Sequence, residues 1–109
     1  MATSLGDIVS GMIAAARASL GKDFPKIKDF AKPEFQRLAK SALDIGKLVA
    51  EGKVTKKQAQ ALFEIHKNTT RMVFITVEGL GIIAAENAIN AALKSARDAV
   101  NGILGFALL

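Results

Sequence analysis

The sequence predicts an all-α fold, a helical hairpin or bundle with a long C-terminal helix and a candidate glycine break inside it. Three observations carry that expectation. Apolar residues recur at three- and four-residue spacing along most of the chain. Ala and Leu, the strongest helix formers, supply much of the hydrophobic half of the composition. The stretch Glu51-Gly52-Lys53-Val54-Thr55-Lys56-Lys57-Gln58 is punctuated as a turn between two helices. At 109 residues the chain is expected to be one helical domain, 1–109, with helices over 4–20, 33–51 and 56–101.

In the first helix, Leu5, Ile8, Val9, Met12, Ile13, Ala16 and Leu20 mark one apolar face. Ser4 is placed to cap it, Asp7 falls in its first turn, and Gly21 suits a left-handed stop. Gly6 and Gly11 each weaken it by about 1 kcal/mol relative to Ala, so it needs tertiary support. Residues 22–32 read as a basic connector in which Pro25 opens a short helical turn after Asp23.

Pro33 is expected at the first position of the second helix, whose seam is Phe35, Leu38, Ala42, Ile45 and Val49. Gly52 then ends that helix. Thr55 and Gln58 form a capping box for the third, with Val54 placed to staple onto Ala59. So short a turn makes the two helices antiparallel neighbours.

From Lys56 the helical pattern has no clear stop before Asn101-Gly102. Unbroken, that helix would be about 68 Å long, against a radius of gyration of about 13 Å for a compact domain of this size. Gly79-Leu80-Gly81 is the natural break, since two glycines cost a helix about 2 kcal/mol. The run Met72–Val77 is strand-like by propensity, but no second strand exists to pair with it, so helix is expected there.

The chemistry of the chain is sparse. With no cysteine, disulfides, zinc-thiolate sites and thiol nucleophiles are excluded. His66 shares its helical face with Leu62, Phe63, Thr69, Thr70 and Val73, the setting of a packed histidine; no second His or Cys could complete a metal site. No serine sits in a nucleophile elbow, Gly79-Leu80-Gly81 lacks the rest of a phosphate loop, and Glu78 and Glu86 lie two turns apart with nothing between them to use. The expectation is therefore a protein that is not an enzyme, with no cofactor, no metal and no small-molecule substrate. Met1–Asp7 carries an acid and no basic region, unlike a secretory leader, which favours the cytoplasm or packaging in a particle.

What is informative is the contrast between halves. The net charge of +5 comes from a basic middle, Lys32 to Arg71, followed by a near-neutral apolar end. From Met72 to Ala85 the only charge is Glu78, and apolar side chains point all round. Beyond it, Glu86, Asn90, Lys94, Arg97 and Asn101 form a polar stripe. Opposite them Ala84, Ala88, Ala92 and Ala96 form a ladder that lets another helix approach closely. The chain ends in the apolar Ile103-Leu104-Gly105-Phe106-Ala107-Leu108-Leu109.

Three occupants compete for these surfaces: helices one and two, a second copy of the chain, or a bilayer. The window between Arg71 and Lys94 is 22 residues long, about enough to span, but its acids and amides offset its apolar gain. Homo-oligomerisation is the preferred expectation, through Val73, Val77, Gly81, Ala84, Ala88, Ala92, Ala96, Leu104, Phe106 and Leu108. The protein would then be a structural or accessory component of a larger assembly, such as a virion or secretion particle. One alternative is a membrane-active oligomer inserting residues 72–109. Another is a nucleic-acid-binding accessory protein using the basic residues of 32–71. For phosphate or lipid contacts the candidates are Lys40, Lys47, Lys53, Lys56, Lys57 and Arg71. No Tyr or Trp is present to stack on bases, and no nucleic-acid-binding motif occurs.

Overall fold

A computed structural model describes residues 4–77 and 79–109 of the chain. They form four α-helices, α1 (Leu5–Leu20), α2 (Lys28–Ala50), α3 (Lys56–Met72) and α4 (Ile82–Leu104), with no strand among the described residues. A 3-10 helix, Gly21–Lys26, joins α1 to α2, and a π-helical turn, Val73–Val77, follows α3. The bundle has a radius of gyration of 13.6 Å and extents of 42 × 30 × 18 Å.

The starts and stops follow local chemistry. Ser4 Oγ accepts the Asp7 N–H at 3.1 Å, and Gly21, at φ 55°, ends α1. Gly52, at φ 73°, ends α2; its N–H donates to the Val49 carbonyl and that of Lys53 to the Leu48 carbonyl, the Schellman pattern. The Thr55–Gln58 capping box is present in both directions, at 3.0 and 2.8 Å.

Helix α2 starts at Lys28, not at Pro33, which lies inside it. Tertiary burial accounts for the difference. Phe24, Ile27 and Ala31 are all buried, which draws the connector into helical geometry ahead of the proline. Pro33 removes one backbone bond, and it sits on the exposed side of the helix.

The long C-terminal helix is divided, and more widely than the two glycines alone imply. α3 stops at Met72, and Val73–Val77 unwinds into π geometry. In this β-branched run the Thr76 hydroxyl donates back to the Met72 carbonyl. Gly79 turns the chain at φ 71°, and the Leu80 N–H donates to the Phe74 carbonyl at 2.9 Å while its side chain is buried. α4 opens at Gly81 and runs past Asn101-Gly102 to Leu104, where Gly105, at φ 80°, stops it. Glu78 lies outside the described residues.

Cross-contacts set the directions of the helices. Ser41 faces His66 and Arg37 faces Thr70, so α2 and α3 are antiparallel. Arg71 pairs with Glu86, and Lys56 lies over Phe106, so α3 and α4 are antiparallel too. α1 packs mainly on α4 and secondarily on α2. The core runs through all four helices, with Met12, Phe35, Leu38, Phe74, Ile89 and Val100 fully buried. Phe35 and Phe74 meet edge to face at 5.7 Å, tying the π turn to α2.

Candidate functional site

Most residues expected to mediate self-association are occupied inside the fold. Ala88, Ala92 and Ala96 are buried and Ala84 half-buried, on the helix that packs mainly against α1. The approach is close: a Cβ added at Gly11 would lie 3.0 Å from Ser95 Oγ. Leu104 docks on Gly46, where an added Cβ would collide with a Leu104 methyl.

The apolar tail also folds back on its own chain. The side-chain oxygen of Asn101 accepts the backbone N–H groups of Leu108 and Leu109 at 3.0 and 3.1 Å. Leu108 is buried, and Lys56 Nζ sits 5.6 Å from the centre of the half-buried Phe106 ring. Val73 is half-buried, and only Val77 and Gly81 of the expected set are exposed.

Apolar surface remains open at Phe30 of α2 and Ile103 near the end of α4, 39 and 55% exposed, and above all where α3 gives way to α4. Met72, the last residue of α3, Val77 of the π turn, and Ile82 and Ile83, the first of α4, are 52, 62, 62 and 75% exposed. The segment Met72–Ala85 thus splits in two. Phe74, Leu80 and Ala85 enter the core, while these four side chains, here called the apolar cap, are exposed around the α3–α4 junction. Ile65, on α3, is 61% exposed and adds to the apolar surface of that helix. The window 72–93 is not one continuous helix, and among the described residues no helix is long and apolar enough to cross a membrane.

The basic candidates are mostly exposed, and Lys53, Lys56 and Lys57 fall together at the α2–α3 turn and the start of α3. Lys40 lies 3.8 Å from Asp44 and Lys53 3.8 Å from Glu51, both in exposed pairs. Lys47 and Lys57 are exposed, and Lys56 is engaged with Phe106. Arg71 alone of this set turns toward another helix, pairing with Glu86 of α4 at 2.9 Å. Beside that pair a groove runs between α3 and α4. Its upper part, a cavity of about 240 Å³, is lined by Glu64, Lys67, Asn68, Arg71, Glu86, Ile89 and Asn90. Its lower part, about 320 Å³, is lined by Lys67, Asn90, Leu93, Lys94, Arg97 and Leu109. The polar stripe of α4 was legible in the sequence as a face; that it faces α3 across an open groove was not.

Three polar contacts between α2 and α3 were also outside the reach of pattern. Thr70 is fully buried, accepts from Arg37 Nη2 at 2.7 Å and donates to Glu34 Oε1 at 3.1 Å; Arg37 and Glu34 are paired at 2.7 Å. His66 Nδ1 lies 3.5 Å from Ser41 Oγ, at the outer limit of a hydrogen bond. Among the described residues no carboxylate orients that pair, and no group of three His, Cys, Asp or Glu side chains comes together as a metal site. Fold and surface together define an all-α helical bundle with an exposed apolar cap and a polar interhelical groove. No family model, curated protein or solved structure matches the chain.

Proposed function

We propose that the protein is a non-enzymatic, self-assembling helical bundle that serves as a structural or accessory component of a larger assembly. The observation that supports this reading is the apolar cap of Met72, Val77, Ile82 and Ile83, more than half exposed at the α3–α4 turn. Exposed apolar surface gathered in one place is a mark of an interaction site, because each such side chain gains free energy on leaving water. A second copy supplies the same cap, so two or more chains bury these residues against one another without any other partner.

The interface therefore moves from the alanine ladder to the turn. Ala88 and Ala92 sit in the core, so a bulky residue there damages the fold and says nothing about assembly. Light-scattering mass in detergent-free buffer tests the proposal. The wild-type chain is expected well above 11.5 kDa, and Ile82→Lys or Ile83→Lys, which touch only exposed positions, should return it to the monomer mass. A monomeric wild type would reject self-assembly, and flotation of that monomer with liposomes would assign the cap to a lipid surface instead.

A further inference from the structure

We infer that the lower groove between α3 and α4 is a binding site for a compact phosphate-bearing ligand, held by Lys67, Asn90, Lys94 and Arg97. The reading does not depend on self-assembly. It rests on what the two helices place on either side of an open cavity.

Lys94 and Arg97 are three residues apart on α4, hence on one face and about 4.5 Å apart along the axis. Asn90, one turn earlier, lines both the lower and the upper cavity. Lys67 of α3 stands on the other wall, so cationic donors reach the cavity from two helices. Lys94 and Arg97 belong to none of the ion pairs found among the described residues. Lys67 is held only by Glu64 at 3.8 Å, a loose pair on an exposed acid. The contrast with the upper cavity is informative. There Arg71 is already paired with Glu86 at 2.9 Å.

The chemistry of the lining selects the ligand class. An Arg fork, two ammonium groups and an amide provide charged and neutral donors from several directions, the combination that suits the tetrahedral oxygens of phosphate. Leu93 and Leu109 also line it, and the Leu109 main-chain oxygen is held by the Asn101 side-chain amide, which donates to it at 3.4 Å and draws it away from free anion contact. No aromatic side chain lines the cavity, so recognition runs through the anion and not through ring stacking. The groove there, about 320 Å³ and open to solvent, has room for a compact anion.

The test is a calorimetric titration of the full chain with inorganic pyrophosphate at low salt. Saturable one-to-one binding is expected, weakened about tenfold or more by Lys94→Glu with Arg97→Glu. Lys53→Glu with Lys57→Glu changes net charge equally but lies outside the groove, and should alter affinity by no more than about twofold. Equal weakening by both pairs, or uptake that never saturates, would overturn the site in favour of diffuse surface charge. Both pairs occupy exposed positions, and an unchanged helical circular dichroism spectrum verifies folding. Flotation with phosphatidic-acid vesicles assigns the source. Recruitment lost with Lys94→Glu and Arg97→Glu marks a lipid headgroup, whereas pyrophosphate binding without recruitment marks a free phosphate ligand. Repeating the titration on Ile83→Lys separates this site from assembly.

Discussion

Asn101 and Thr70 each hold together two parts of the chain that pattern alone leaves unconnected. Asn101 accepts two backbone N–H groups of the tail, and without it those groups lose their partner in a half-buried setting. Asn101→Ala is expected to cost about 1–3 kcal/mol and to expose residues 105–109 to limited proteolysis before the bundle unfolds. Thr70 is buried between Glu34 and Arg37, which keep each other when its hydroxyl is removed. Thr70→Val preserves the shape, so a loss of only about 1 kcal/mol is expected in urea denaturation. A loss much larger than that would mean the Glu34–Arg37 pair depends on the hydroxyl for its position.

At the scale of elements, two junctions carry the architecture. The α3–α4 turn depends on Gly79, whose φ of 71° strains any residue with a Cβ although open space surrounds it. Gly79→Ala should therefore cost about 1–2 kcal/mol through backbone strain alone. The second junction is the docking of α4 on α2 at Gly46. Gly46→Val drives a side chain into Leu104 and is expected to cost about 1–3 kcal/mol. Adding Leu104→Ala should recover part of that loss, because the two changes act on one contact. Additive costs in the double variant would place the damage elsewhere.

For the whole molecule, the question is how a chain this apolar divides its hydrophobic surface between its own core and its exterior. α4 buries its alanine face and Leu108 internally, while Ile103 and the side chains at the α3–α4 junction stay exposed. Phe74 anchors that turn through Phe35. Phe74→Ala should cost about 3–5 kcal/mol and lower the unfolding midpoint; under the proposed self-assembly it should, by loosening the turn, lower the light-scattering mass as well. Ile83→Lys is expected to lower the mass while leaving the midpoint nearly unchanged, since its side chain is 75% exposed. The pair of variants separates a cap that needs a rigid base from one that acts through side-chain hydrophobicity alone.

The sequence by itself determined the helical class, the Ser4 and Gly21 ends of α1, the Gly52 turn and the Thr55–Gln58 capping box. These are local: a cap, a left-handed glycine and a 3.6-residue period act within a few residues, so their signal is written in adjacent letters. It also marked 72–85 as a segment in need of burial, and the 79–81 glycines as a break. Only the tertiary structure decided who answers that need. Phe24, Ile27 and Ala31 started α2 before Pro33, the core took Ala88, Ala92 and Ala96, and Asn101 captured the tail. An apolar face shows in sequence that it must be covered but not by what, because helices of the same chain and helices of another offer it the same chemistry. The groove was hidden for the same reason. Lys67 and the pair Lys94 and Arg97 belong to different helices, and no spacing along the chain states that α3 and α4 turn them toward one cavity.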